Sequence, residues 1–198
     1  SANSSNFTDG HIQLSATNIK AAANLALTAS DIGGLTELTS TTYTVDPASA
    51  TQYIALLPGE TLTTGVNSFA AAKGGAATGI NACTAFNLTL NAVDPYFNID
   101  TSYSGSVSFV TSDTDDDESS YASSFGSGVK VFSVNPVVLG NNNTLTVTSA
   151  LAQSGANSNY NINLGSTRKL ISVLPGQTFN PGKLTLAAAV TGTMSPAS

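Results

Sequence analysis

The chain has 198 residues, of which 41% are hydrophobic and only 9% are charged, with a formal net charge of −6. A hydrophobic fraction of that size supports a packed core and excludes wholesale disorder, and the length accommodates one large domain or two of roughly 100 residues. Twelve acidic residues against six basic ones leave no basic footprint for nucleic acid or for an anionic membrane surface.

Ser, Thr, Asn and Gly supply the polarity that charge usually supplies, a composition expected of an extracellular β-protein. The chain opens at Ser1-Ala2-Asn3-Ser4-Ser5 without a charged-then-apolar leader, as expected of a mature chain whose signal has been removed. Nowhere does an apolar run approach the roughly 20 residues of a membrane-spanning helix, so no membrane insertion is expected. N-x-Ser/Thr sequons at Asn3, Asn6, Asn87 and Asn142 are candidate glycan sites in such a protein. Asp9-Gly10-His11-Ile12-Gln13-Leu14 reads as an alternating strand carrying the one histidine. Ile19–Leu27 is rich in alanine and is open between helix and strand, as is the stretch 70–77.

Beyond it, alternation of period two takes over. Tyr53–Leu57, Phe86–Val93, Ser106–Val110, Val129–Val134, Thr144–Thr148 and Tyr160–Leu164 each read as a strand with one apolar face. Clusters such as Asp94-Pro95 and Gly140-Asn141-Asn142-Asn143 separate them as turns. The expected fold class is therefore all-β, with short strands packed as a sandwich. Cys83 has no partner for an intrachain disulfide; it is expected to be a small core residue, with an interchain disulfide left open.

Residues 42–65 (TYTVDPASATQYIALLPGETLTTG) and 159–182 (NYNINLGSTRKLISVLPGQTFNPG) are two copies of one pattern, in which Pro58 stands opposite Pro175 at a shift of 117 residues. Tyr43, Ser49, Ile54, Leu57, Gly59, Thr61 and Gly65 also meet identical residues at that shift, while the first 41 residues do not align. The phase of the repeat divides the chain into three. Residues 1–50 form a β-rich segment ending in the closing strand Thr42–Val45 of a partial unit. Residues 51–167 form one complete unit, and 168–198 bring the opening strand Leu170–Leu174 of another partial one.

The central copy resembles a bacterial Ig-like repeat of long secreted and cell-surface proteins. The resemblance is carried by Leu56-Leu57-Pro58-Gly59-Glu60, by Ala85–Asp94, by Asn98 in the polar turn, and by Tyr103–Phe109. It implies an Ig-like fold and a structural role outside the cell, and it brings no catalytic residues with it.

No enzyme is expected. A nucleophilic triad has only His11 as a base, no Gly-x-Ser-x-Gly elbow is present, and one His with one Cys cannot build a zinc site. Leu57-Pro58-Gly59-Glu60-Thr61 reads as a strand closing into a Pro-Gly turn. The one acidic cluster, Asp113, Asp115, Asp116, Asp117 and Glu118, is read either as a solvated loop or as a candidate calcium site, calcium being the only cofactor considered.

The leading expectation is a structural subunit of an extracellular filament or surface layer. Copies would join head-to-tail by strand exchange, with Leu170, Val173, Leu174, Leu184 and Leu186 filling a neighbour's groove. The alternative is an adhesin-like module, with or without calcium, using loops 94–103 or 111–120 with Tyr96-Phe97 as an aromatic rim.

Overall fold

A computed structural model describes residues 12–30, 36–116, 121–165, 170–183 and 186–193. The strands β1 (Ala22–Leu25), β2 (Thr28–Ala29), β3 (Leu38–Thr39) and β4 (Tyr43–Val45) precede β5 (Gln52–Leu56) and β6 (Glu60–Leu62). One helical turn, α1 (Phe69–Ala72), leads into β7 (Lys73–Gly75), β8 (Ile80–Asn81) and the long β9 (Phe86–Val93). Then come β10 (Ser106–Thr111), β11 (Ala122–Ser124), β12 (Val129–Val134), β13 (Gly140–Asn143), β14 (Leu145–Ser149), β15 (Ala152–Gln153) and β16 (Tyr160–Asn163). β17 (Thr178–Phe179), α2 (Leu186–Ala189) and β18 (Val190–Thr191) complete the described elements.

Among the described residues the molecule is all-β apart from these two turns of helix. Three sheets, ordered β12-β9-β5-β15, β11-β10-β14 and β13-β16-β8, send side chains into one buried cluster. The alternation explains the placement: Leu88, Leu90 and Ala92 of β9 face this cluster, whereas Val93 faces a second one. Phe109 stacks on Tyr121 at 4.4 Å and meets Phe132 edge-on at 5.0 Å, joining β10 to β12 across the centre. The second cluster lies on the other face of β5 and β9, where Ile54 and Val93 are covered by Ala72 of α1 and by Phe97. β9 is thus buried on both faces, which suits the middle of a sheet.

The internal repeat is a repeat of structure. β6 pairs with β7 through Thr61↔Gly74 and Leu62↔Lys73, and β17 pairs with β18 through Thr178↔Thr191 and Phe179↔Val190, the same register at a shift of 117. Each copy has its helical turn in the same place, and the Thr63 amide bonds the Ala72 carbonyl at 2.7 Å as the Asn180 amide bonds that of Ala189 at 2.7 Å. Gly65 and Gly182 take left-handed φ values of 71° and 76°; a Cβ on the first would run into Lys20 and on the second into Val138.

That last contact extends the repeat into residues that do not align by eye. β1 pairs with β4 through Ala22↔Val45 and Leu25↔Tyr43, and β13 with β16 through Gly140↔Ile162 and Asn143↔Tyr160, each with an irregular register between the two pairs. Asn24 and Asn142 stand at equivalent points, both with φ of 57°. The shift here is 118, one residue more than in the opening copies, which hides the match from an ungapped alignment. Residues 20–25 therefore repeat 138–143, and the alanine-rich stretch is a strand edge with a left-handed kink, not a helix.

Candidate functional site

The two copies differ in the strand that leads into each. Tyr53, Ile54 and Ala55 of β5 ladder with Ala92, Asn91 and Leu90 of β9. At the equivalent positions Leu170, Ile171 and Ser172 form no ladder with any described strand, so the expected opening strand belongs to no described sheet. A strand needs a partner's main chain to satisfy its own amides and carbonyls, and no described strand supplies one here. The side chains follow: Tyr53 is 3% exposed, Leu170 is 102% exposed, and Val173 and Leu174 are exposed as well. Only the turn survives without the sheet, with the Leu174 amide held by Gln177 Oε1 at 3.1 Å as the Leu57 amide is held by Glu60 Oε2 at 2.8 Å. Leu186 opens α2 and so is helical rather than part of an alternating strand, while Leu184 lies outside the described residues.

Glu60 carries more than its turn. Its carboxylate pairs with Lys73 Nζ at 3.0 Å, and both side chains are buried. It also accepts from Ser158 Oγ, tying the opening of the unit to its closing segment, and Lys73 Nζ donates to the Ala55 carbonyl at 2.9 Å. In the second copy these positions are Gln177 and Val190, so the turn is kept and the ion pair is not.

Two carboxylates organise the junctions. Asp94 Oδ1 accepts from the amides of Tyr96 at 2.8 Å and Asn98 at 3.0 Å, closing the turn that follows β9. Asn98 then reaches the preceding partial unit: its Nδ2 donates to the Ile19 carbonyl at 2.8 Å and its Oδ1 accepts from the Ala21 amide at 2.9 Å. Asp94 Oδ2 accepts from the Ala48 amide at 3.1 Å. Asp100 accepts from Ser102 and from the Ala50 amide, which holds its carboxyl below the usual range. Asn98 had signalled no more than a polar turn; the spacing of Asp94 and Asn98 around Pro95 is the sign of this grip.

The acidic cluster is not a solvated loop where it is described. Asp113 is buried, and its Oδ2 accepts from the amides of Val137 at 2.6 Å and Val138 at 2.9 Å while Oδ1 accepts from that of Asp115 at 3.1 Å. Asp115 pairs with Lys183 Nζ at 2.6 Å, and Asp116 Oδ2 accepts from Thr111 Oγ1 at 2.7 Å. Asp117 and Glu118 lie outside the described residues, and no group of three or more His, Cys, Asp or Glu is placed to hold a metal among those described.

The remaining expectations divide. Cys83 is exposed rather than part of the core, at a left-handed φ of 59° with its amide on the Pro136 carbonyl. Of the aromatic rim, Tyr96 is exposed but Phe97 is buried in the second cluster. Asn87 and Asn142 are exposed, whereas Asn3, Asn6 and His11 lie outside the described residues. A shallow groove of about 240 Å³ is lined by Thr17, Asn18, Ile19, Lys20, Ala22 and Leu25 and gathers no group of titratable side chains. No protein-family model, curated protein or solved structure matches the chain.

Proposed function

We propose that the chain is a structural subunit of an extracellular filament or surface layer, built from Ig-like sandwich units that join head-to-tail by strand complementation. The observation that carries this reading is the contrast between Tyr53, buried in a ladder, and Leu170, fully exposed at the same point of the repeat. A strand that has the sequence of a sheet centre but lacks the sheet is a donor waiting for an acceptor. Covering Leu170 returns about 1.5–3 kcal/mol, and covering the half-buried Val173 and Leu174 about half as much each, before the ladder bonds are counted. Sparse charge suits extended packing between subunits, because few ions would be stranded without partners. The extracellular setting is supported by the hydroxyl- and amide-rich composition and by the resemblance to secreted Ig-like repeats.

The test is sedimentation velocity and negative-stain microscopy of the full chain beside the double variant Leu170→Asp/Val173→Asp. The expected result is elongated assemblies for the first and monomers for the second. A full chain that stays monomeric at high concentration, or assemblies indifferent to the two aspartates, overturns the reading.

A further inference from the structure

The chain passes from the preceding partial unit into the central one through residues 46–51, between β4 and β5. A segment of that length is enough for a swivel, and relative motion is the default for units joined in this way. Here the segment is pinned along its course. The Ala48 amide donates to Asp94 Oδ2 at 3.1 Å, the Ala50 amide to Asp100 Oδ2 at 2.8 Å, and the Thr51 amide to the Val93 carbonyl at 3.1 Å. Pro47 has no amide to satisfy and stiffens the entry.

A second attachment lies away from this covalent link. Asn98 Nδ2 donates to the Ile19 carbonyl at 2.8 Å, and Oδ1 accepts from the Ala21 amide at 2.9 Å, at the approach to β1. Beside it Gly65, at a left-handed φ of 71°, lies so close to Lys20 that a Cβ would come within 2.3 Å of the lysine Cβ. The Gly65 and Val66 amides bond the Tyr96 carbonyl, which ties this contact to the turn 94–98. β1 and β4 pair with each other through Ala22↔Val45. Their small sheet is thus held both at the segment entering β1 and at the segment leaving β4. A body held at two separate points cannot swing about either.

The bonds leave no slack. Asp94 Oδ1 accepts from the Tyr96 and Asn98 amides and Oδ2 from the Ala48 amide and Asn98 Nδ2, which fills the roughly four lone-pair sites of a carboxylate. Both Nδ2 protons of Asn98 are used, one on Ile19 and one on Asp94. Asp94, Asn98 and Asp100 are 2%, 4% and 6% exposed, so water is not at hand to replace a lost partner. Rotating the preceding unit would strand several buried polar groups at once, and each loss costs more than the bond itself contributes. Such a junction is either engaged or broken.

We propose that Asp94, Asn98 and Asp100 form a rigid coupling that fixes the orientation of the preceding unit on the central one, so that the repeat is a stiff rod and not a string of swivelling beads. This goes beyond strand complementation and holds equally for a filament subunit and for the stalk of an adhesin. Asn98 is the centre of the coupling, because its side chain joins the approach to β1 to the carboxylate that pins the linker.

The test is a distance measurement in the full chain. Cys83 is exposed on the central unit and takes one spin label; Thr44→Cys, at an exposed position of β4, takes the other. Pulsed dipolar spectroscopy, with labelled chains diluted in unlabelled ones so that only distances within one molecule are read, should give one narrow peak. Asn98→Ala should lose that peak to a broad distribution, while amide-exchange protection of β9 and β12 stays at the parent's level. A broad distribution in the parent, or a narrow peak retained in Asn98→Ala, overturns the coupling. If Asn98→Ala loses β9 protection and so fails to fold, backbone nitrogen relaxation of the unlabelled parent decides. Equal rotational correlation times for residues 22–45 and 86–134 are expected there, and faster tumbling of 22–45 overturns the proposal.

Discussion

The elements β6–α1–β7 and β17–α2–β18 agree in register, in capping hydrogen bonds and in left-handed glycines, yet the strands leading into them end in opposite conditions. A turn of this kind carries its own instructions: Leu-Pro-Gly, a side-chain acceptor three residues after the Leu, and Gly where φ is positive. A central strand carries only half of its instructions, because its hydrogen bonds and half of its packing belong to another segment. The comparison separates what this sequence encodes locally from what it encodes only in company.

The ion pair offers the largest effect with which to break the comparison. Lys73→Met leaves the Glu60 carboxylate buried beside Ser158 without its cation, and should lower unfolding free energy in urea by about 3–5 kcal/mol. Glu60→Gln/Lys73→Val gives the first copy the residues of the second, Gln177 and Val190, and should recover most of that loss. A double variant as unstable as Lys73→Met would mean that the charge itself, and not its desertion, matters.

Next in size is the strand. Ile54→Ala removes a fully buried side chain between β9 and α1, and a loss of about 2–5 kcal/mol is expected. Leu170→Ala should fall within about 0.5 kcal/mol of the parent in the isolated chain, because nothing covers it there. The two values should converge only under conditions where assemblies form.

The smallest effect sharpens the comparison of Tyr160 with Tyr43. Burial pushes the Tyr160 hydroxyl up to about 12, with the Asp116 and Asp113 carboxylates adding to the rise against a hydrogen bond from Thr111. A phenol whose folded value lies above its unfolded value of about 10 contributes fully below pH 10, and that contribution is lost as pH rises towards 12. Thermal melts across this window should fall more steeply for the parent than for Tyr160→Phe, by roughly 2–4 °C.

Much of the fold was legible. Phe86–Val93 and Val129–Val134 are strands where the alternation places them, and their pairing, Val129↔Asn91 to Val134↔Phe86, keeps the apolar faces together. Leu170–Leu174 has the same signature and no sheet, because periodicity reports which face is apolar and not whether a ladder partner is at hand. Ile19–Leu27 stayed open between helix and strand because of its alanines, whose helical preference of under 1 kcal/mol per residue yields to the ladder with β4. The site was less legible than the fold. Asp113 read as one of several acids in a solvated loop or a candidate calcium site, and only the approach of Val137 and Val138 shows it to be a buried clamp. Asn98 was hidden for the same reason, since its partners at Ile19 and Ala21 are remote in sequence.

The parallel pairings Ala152↔Gln52 and Ile162↔Ile80 join the beginning of the central unit to its end. Contacts so distant along the chain form late, because loop-closure entropy must be met before they contribute. Until residues 152–153 arrive, the outer edge of β5 stands open. Completion from within and capture by a neighbour are then rival reactions at one edge, and their relative speeds decide whether the unit closes on itself or recruits.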